Sequence, residues 1–95
     1  MTETIAFDAA DYLDSPDMIV AYLNEASSSD DPALIAKAIG TVARAQGMTD
    51  VADKTGLSRE NLCRSLSGDA KPELATVIKV LHAMGIYLVA QTRAA

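Results

Sequence analysis

The chain has 95 residues, of which 49% are hydrophobic and 4% aromatic, and it carries a net charge of −5 and one cysteine. This length suits a single domain, and a composition with many small and aliphatic residues but few aromatic ones favours packed helices over a β-sandwich or barrel. The lone cysteine excludes an intrachain disulfide, no apolar run approaches the roughly twenty residues of a membrane span, and the acidic start does not fit a secretory signal. A cytoplasmic location is therefore expected.

The first elements in chain order are two helices. A short helix is expected over residues 8–13, with Phe7 and Leu13 as its anchors. Ser15, Pro16 and Asp17 form a typical helix start, with a cap, a proline at the first helical position and an acid in the first turn. This second helix should continue to about residue 26. Its inward stripe would consist of Ile19, Tyr22, Leu23 and Ala26.

The next helix repeats this start signal. Asp31 and Pro32 follow a polar break at residues 27–30, and the helical periodicity continues to about Gln46, before Gly47. The positions expected to face inward are Leu34 or Ile35, Ala38, Ile39 and Val42.

The stretch 48–68 predicts two short helices joined by a tight turn. Thr49 is expected to cap the first helix, and Gly56 to supply the positive φ that the sharp exit needs. Ser58 is expected to cap the second helix through its hydroxyl. This pattern alone does not establish DNA binding, since any two amphipathic helices joined through a glycine can produce it.

The second of these helices has two distinct faces. Leu62 and Leu66 lie four residues apart and would point inward. The opposite face is left to Arg59, Glu60, Cys63, Arg64 and Ser67. This is the layout of a helix-turn-helix, whose second helix lies in the major groove of DNA.

The C-terminal part predicts a loop, a helix and a short apolar run. Lys71, in the loop 68–72, would pass near the DNA backbone and could meet a phosphate. A last helix is expected from about Glu73 to Met84, ending at Gly85. Its buried face would consist of Leu74, Val77, Ile78 and Leu81. Residues 86–90 are compatible with a short strand, which would need a partner chain because a lone strand has unpaired edges.

The candidate contacts with DNA follow from side-chain chemistry. Arg59 and Arg64 are the best candidates, because arginine can donate two N–H groups to guanine O6 and N7. Glu60 could accept from cytosine N4, although an i,i+4 pair with Arg64 is favoured. Cys63 is interpreted as a small neutral filler rather than a redox sensor. The predicted DNA-binding residues are Thr49, Ser58, Arg59, Glu60, Cys63, Arg64, Ser67 and Lys71.

No pattern of catalysis or metal binding is present in the sequence. His82 is the only histidine and has no accompanying nucleophile or second ligand. The acids at positions 8, 11, 14 and 17 lack the glycine and glutamate offsets of a calcium loop. Neither a glycine-rich phosphate loop nor a zinc spacing occurs. The chain is therefore not expected to be an enzyme or to bind a cofactor.

The helix-turn-helix stretch resembles known families. Residues 51–58, Val-Ala-Asp-Lys-Thr-Gly-Leu-Ser, are similar to the helix-turn-helix of the lambda-repressor and Xre group. The run 47–67, with 71–74, 79–85 and the N-terminal 7–26, resembles the HigA-like addiction-module antidote family, so the likeness covers most of the chain. Asp50 and Cys63 depart from it, since the family commonly has Gln and Tyr at these positions.

The resemblance implies the antitoxin of a type II toxin–antitoxin pair. Such a protein neutralises a small basic toxin of the RelE/ParE type and represses its own operon by binding double-stranded operator DNA, as an expected homodimer. Residues 1–47 carry a net charge of −6 and residues 48–95 a net charge of +1. The first half thus suits a basic protein partner, and the second could meet DNA with one face.

Two alternatives stay open at this point. One is a stand-alone, phage-type transcriptional repressor without a toxin. The other is a protein-interaction module that does not bind DNA, which the acidic charge and the departures at Asp50 and Cys63 favour.

The sequence predicts a single domain over residues 1–95 with three parts. These are acidic N-terminal helices over 1–47, the helix-turn-helix over 48–68, and the last helix with its following run over 69–95.

Overall fold

The fold, described for residues 8–93 in a computed structural model, is all-helical as predicted. One turn of 3-10 helix is followed by five α-helices, and no strand forms among the described residues. Their bounds are Ala9–Tyr12 for the 3-10 turn, then α1 Pro16–Ser27, α2 Pro32–Gln46, α3 Met48–Thr55, α4 Arg59–Ser65 and α5 Leu74–Ala83. Phe7, the predicted first anchor, lies outside the described residues, while Leu13 is buried.

The predicted helix starts are confirmed at three of four caps. The Ser15 hydroxyl accepts from the N–H of Met18 at 3.2 Å, and the Asp31 carboxylate accepts from the N–H of Ala33 at 3.0 Å. The Ser58 hydroxyl accepts from the N–H of Asn61 at 3.0 Å. Each cap satisfies one of the N–H groups that a first helical turn leaves without a partner.

The predicted cap at Thr49 is wrong. α3 begins at Met48, two residues before the start that a cap at Thr49 implies, and has no side-chain cap. Gly47 adopts a φ of +110°, so the chain turns directly from α2 into α3. Its N–H donates to the Ala43 carbonyl and its own carbonyl accepts from the N–H of Val51. Because one glycine serves both helix ends, Thr49 already lies within the first turn of α3.

The core gathers around α2, which packs against α1, α3, α4 and the 3-10 turn. The buried cluster consists of Leu13, Ile19, Ile39, Val42, Ala43, Val51, Ala52, Leu62, Leu66, Val80, Leu81 and Met84. Most predicted inward positions of the first two long helices are buried or half-buried. Ile35 is the half-buried member of its pair, and Leu34 is exposed.

The prediction for α5 is wrong at one residue and incomplete at another. Leu74 is 68% exposed, whereas Val80, which was not predicted to be inside, is completely buried. α5 packs against α3. Its apolar stripe therefore follows Val77, Val80 and Leu81, and Leu74 in the first turn projects past the core.

The predicted C-terminal strand does not form in the single chain. Residues 86–93, called the tail below, have no regular secondary structure. Ile86 packs against the core, and no other described segment offers a strand edge for the tail to pair with. Among residues 8–93, none of the helices has the length and apolar character needed to cross a bilayer.

Candidate nucleic-acid interface

The connection between α3 and α4 is held by hydrogen bonds on both sides. Gly56 takes a φ of +77°, and its N–H donates to the Ala52 carbonyl at 2.9 Å. The buried Thr55 hydroxyl donates to the Val51 carbonyl at 2.9 Å and accepts from the N–H of Leu57 at 3.2 Å. These hydrogen bonds fix the backbone of the turn and thereby the direction in which α4 leaves α3. The contribution of the Thr55 hydroxyl to this turn was not predicted from the sequence.

α4 has the two faces that its sequence predicts. Leu62 is 0% exposed and Leu66 is 4% exposed, so both side chains anchor the helix in the core. The outward residues are all exposed, namely Arg59, Glu60, Cys63, Arg64 and Ser67. Two arginines thus stand on the solvent side of a helix whose other side is fixed.

The favoured ion pair between Glu60 and Arg64 is wrong. Instead, the Arg64 guanidinium donates to the side-chain oxygen of Asn61, one turn earlier on the same helix. No ion pair to Glu60 forms among the described residues. An acceptor at position i−3 is within reach of an arginine on a helix, so the amide competes with the carboxylate.

The remaining predicted contacts lie at the edges of this face. Ser67 closes α4, since its hydroxyl donates to the Arg64 carbonyl at 2.9 Å and accepts from the N–H of Asp69 at 3.2 Å. Thr49 and Lys71 are both exposed, at the start of α3 and in the loop before α5. In the sequence, the Thr49 hydroxyl precedes the two arginines, and the donors of Ser67 and Lys71 follow them.

Asp50 pairs with Lys54 on the exposed side of α3. Its carboxylate lies 3.1 Å from the Lys54 ammonium, and both side chains are more than half exposed. An exposed i,i+4 pair of this kind contributes only about 0.3–0.5 kcal/mol to stability. Its larger effect is local, since the carboxylate offsets a positive charge beside the predicted DNA-binding face.

A groove of about 210 Å³ runs between α2 and α4. Two of the predicted site residues, Cys63 and Ser67, meet there, opposite Lys37 and Arg44 of α2. Sequence reasoning assigned these two cations to the acidic half. Their spacing of seven residues places them on one helix face, which was the available signal.

Two glycines allow α4 and its following loop to approach α2 closely. A Cβ on Gly40 would lie 3.0 Å from the Leu66 carbonyl oxygen, and a Cβ on Gly68 would lie 2.7 Å from two stem carbons of Lys37. Gly68 also has a φ of +95°. The close approach brings the C-terminal end of α4 and the following loop against residues 33–40 of α2.

The acidic N-terminal segment contacts this groove through one ion pair. The Asp8 carboxylate lies 3.1 Å from the Arg44 guanidinium. The N–H of Ala10 donates to the same carboxylate and, together with Arg44, holds the pKa of Asp8 below its ordinary value of 3.8. Asp8 therefore caps the 3-10 turn and connects it to α2.

No group of three or more His, Cys, Asp or Glu residues within 8–93 is placed to hold a metal ion. Cys63 is an exposed free thiol. The His82 ring packs edge-to-face on Tyr87 with 5.6 Å between centroids, so this histidine is part of the packing of the tail on α5.

Comparison with known proteins identifies the family. A family model described as "Probable addiction module antidote protein" matches residues 3–92. A protein of Haemophilus influenzae, described as "Uncharacterized protein", is 43% identical over 95 residues, which cover 98% of each chain. No solved structure matches. Antidotes of this kind have a toxin as their partner and are not a family of enzymes. The chain belongs to the family of probable addiction module antidote proteins.

Proposed function

We propose that this antidote has two activities: it neutralises a protein toxin by direct binding, and it represses its own operon by binding operator DNA through a helix-turn-helix formed by α3 and α4. The observation that carries the DNA-binding half is the geometry of α4. Arg59 and Arg64 are exposed on one side, while Leu62 and Leu66 anchor the other side in the core. The likeness to HigA-like antidotes and to the lambda-repressor and Xre group supports the same assignment.

In this proposal the two arginines read base edges. Each guanidinium can donate two parallel N–H groups to guanine O6 and N7, a contact worth about 1–3 kcal/mol of discrimination against a wrong base. Asn61 holds the Arg64 guanidinium before DNA arrives, which reduces the rotamer entropy lost on binding. Glu60 is not held by Arg64 and is available to accept from cytosine N4.

Phosphate contacts would position α4 in the groove. The candidates are the hydroxyls of Thr49 and Ser58, the ammonium of Lys71, and the hydroxyl of Ser67, which would exchange its bond to the Arg64 carbonyl for one to a phosphate oxygen. Cys63 would lie beside them as a small neutral residue. The chain as a whole carries a charge of −5, so the face that carries Arg59 and Arg64, rather than the acidic first half, would approach DNA. Two copies on two half-sites would add their separate weak contacts.

The toxin-binding half of the proposal is supported by the family and by charge. Acidic side chains are exposed on the 3-10 turn, on α1 and on the link between them, at Asp11, Asp14, Asp17 and Glu25. A small basic toxin of the RelE/ParE type would be attracted to this surface, and the attraction would speed association. Co-expression with the neighbouring reading frame, followed by purification on a tag carried by this chain, tests the contact. Failure to retain the neighbour's product at micromolar concentration would contradict it.

A fluorescence-anisotropy titration tests the DNA-binding half. The probe is the duplex upstream of the gene, at low and high salt, with the native chain and the double variant Arg59→Ala, Arg64→Ala. The matched control is Ala21→Glu, Asn24→Glu, which lowers the net charge by the same amount on two exposed residues of α1. We expect affinity that falls with salt, is lost in the arginine variant and is kept in the control.

A protein-interaction module that does not bind DNA is the second candidate. The observation that favours it is the ion pair between Asp50 and Lys54, which offsets a cation beside the predicted DNA-binding face. The same titration decides between the two. Equal binding of the upstream duplex and an unrelated duplex, or no effect of the arginine variant, would contradict the repressor and leave the module.

A further inference from the structure

The groove between α2 and α4 gathers the positive charge of an otherwise acidic half of the chain. Residues 1–47 carry a net charge of −6, and their only cations are Lys37 and Arg44. Both cations line this groove and both are exposed. None of the described residues that line it is acidic. The groove therefore attracts anions, although the half of the chain that supplies its cations repels them.

The opposite wall of the groove belongs to the predicted DNA-binding face. Cys63 and Ser67 line that wall, and both are exposed residues on the outward side of α4. The groove is thus continuous with the face that carries Arg64. A DNA strand positioned by α4 would bring its phosphates, which lie outside its bases, past α2.

Lys37 is positioned by the loop that follows α4. A Cβ on Gly68 would lie 2.7 Å from Cγ and Cδ of Lys37, so the backbone of this loop rests directly on the aliphatic part of the side chain. The Lys37 ammonium makes no ion pair with any described residue. Its stem is therefore held against the end of α4, while its charge is available to an anion.

Arg44 is instead held by an acid from the start of the chain. Its guanidinium donates to the Asp8 carboxylate at 3.1 Å, and the two side chains are 50% and 46% exposed. The same carboxylate accepts from the N–H of Ala10 at 3.1 Å, so the 3-10 turn fixes its position. Asp8 thus offsets one of the two cations at the groove. An exposed ion pair of this kind is weak, whereas an arginine can bind a phosphate through two N–H groups.

Charge decides between the possible occupants of the groove. A small basic toxin would be repelled by the two cations and attracted to the exposed acids of the 3-10 turn and α1. A phosphate group has the opposite charge and accepts several hydrogen bonds. For a chain that binds operator DNA, the backbone beside α4 is the nearest source of such groups.

We propose that Lys37 and Arg44 form a phosphate-binding site for the DNA backbone beside α4, and that Asp8 competes with the phosphate for Arg44. The inference deepens the proposed function and rests on it, since it adds backbone contacts from α2 to the base contacts of α4. Lys37 binds a phosphate without losing a partner. Arg44 exchanges the Asp8 carboxylate for a phosphate, so the acidic start of the chain lowers its affinity for DNA.

The anisotropy titration with the duplex upstream of the gene tests the contact made by Lys37. Lys37→Gln removes the charge and keeps the Cγ and Cδ positions that pack on Gly68. We expect the dissociation constant to rise about three- to tenfold, on this duplex and on an unrelated one alike, because a phosphate contact carries no sequence information. The slope of log affinity against log salt should become shallower by about 0.9 for each chain bound. The matched control is Lys79→Gln, an exposed lysine of α5, which should leave the slope unchanged.

A double-mutant cycle tests the competition for Arg44. Asp8→Asn removes the charge and keeps an oxygen for the Ala10 N–H, since Asn caps a helix as well as Asp. We expect the affinity for DNA to rise about three- to tenfold, with a steeper salt slope. The matched control is Asp11→Asn, the same change of charge on the same 3-10 turn, which should raise the affinity less than about twofold because salt screens its exposed charge. In an Arg44→Gln background the gain from Asp8→Asn should disappear.

The results separate this inference from the DNA-binding proposal. Circular dichroism verifies that each variant is folded. A native chain that does not distinguish the upstream duplex from an unrelated one would contradict both. A native chain whose specific binding is lost in the Arg59→Ala, Arg64→Ala variant, but is unaffected by Lys37→Gln or by Asp8→Asn, would overturn the inference alone. A gain from Asp8→Asn that persists without Arg44 would do so as well, since the acid would then act through overall charge.

Inorganic phosphate distinguishes a free anion from the DNA backbone as the occupant. It is titrated into the full chain without DNA, at an ionic strength held constant with chloride, while the amide signals of Ser67 and Gly68 are followed by NMR. We expect no saturation at millimolar phosphate, because a single anion lacks the contacts that α4 makes with DNA. Saturation in this range, with DNA binding unchanged in Lys37→Gln, would assign the groove to a free anion and overturn the proposal.

Discussion

Leu62 connects the stability of the fold to the position of α4, and its truncation gives a sharp prediction. The side chain is 0% exposed and lies in the buried cluster. Leu62→Ala removes three carbons, which amounts to about 2.4 kcal/mol at about 0.8 kcal/mol for each buried methylene. The cavity left behind adds to this, so we expect the free energy of unfolding to fall by about 3 kcal/mol or more.

This loss is large compared with the total stability of a small domain, about 5–15 kcal/mol. Urea denaturation followed by circular dichroism measures it, with an unchanged slope and a lower midpoint as the expected signature. The control is Leu34→Ala, the same chemical change at a residue that is 45% exposed, where we expect less than about 1 kcal/mol. Equal effects of the two substitutions would refute the assignment of Leu62 to the centre of the core.

Three further predictions concern the contacts that position the candidate site. Gly40→Ala gains about 1 kcal/mol of helix propensity, but its Cβ would lie within 3.0 Å of the α4 backbone. We therefore expect the free energy of unfolding, measured by urea denaturation, to fall by about 1–2 kcal/mol in total. A rise in this free energy would mean that α4 moves aside freely. Ser58→Ala should lower the free energy of unfolding by about 1 kcal/mol through loss of the cap, whereas Thr49→Ala, which removes no cap, should leave it nearly unchanged. A larger loss for Thr49→Ala than for Ser58→Ala would contradict the observed helix starts. The Asp8 carboxyl should titrate below 3.8 by NMR in the native chain and nearer 3.8 in Arg44→Ala. Because the Ala10 N–H and the Arg44 guanidinium lower the folded pKa, the stability from these two contacts is present above 3.8 and lost as the pH falls below it, and an unshifted titration would refute both contacts.

The predicted helix starts at Ser15, Asp31 and Ser58 agreed with the structure because their signals act over a few residues. A cap such as Ser15 or Asp31 acts on N–H groups two or three residues away, and a proline at the first helical position restricts its own φ. The cap at Thr49 failed for an equally local reason. Gly47 has no Cβ and can take a φ of +110°, which lets one residue end α2 and begin α3.

The partners of exposed side chains depended on competition that the sequence alone does not decide. Glu60 and Asn61 both lie within one turn of Arg64, and the structure has the amide as its acceptor. The groove between α2 and α4 required knowledge of how closely these helices approach, because Lys37 and Arg44 are distant in sequence from Cys63 and Ser67. Pattern reasoning treats each helix separately and does not give such a distance.

The sequence by itself determined the helical class, most helix ends, the turn at Gly56 and the two faces of α4, because these depend on backbone φ preferences, caps and a 3.6-residue period within short stretches. Tertiary structure decided which apolar residues are covered. Leu74 and Val80 are equally apolar, but only Val80 lies where α5 meets the core. Burial requires a neighbour, and the position of a neighbour is set by the packing of the whole chain. For the same reason the apolar tail, which finds no strand to pair with among the described residues, remains exposed in the single chain.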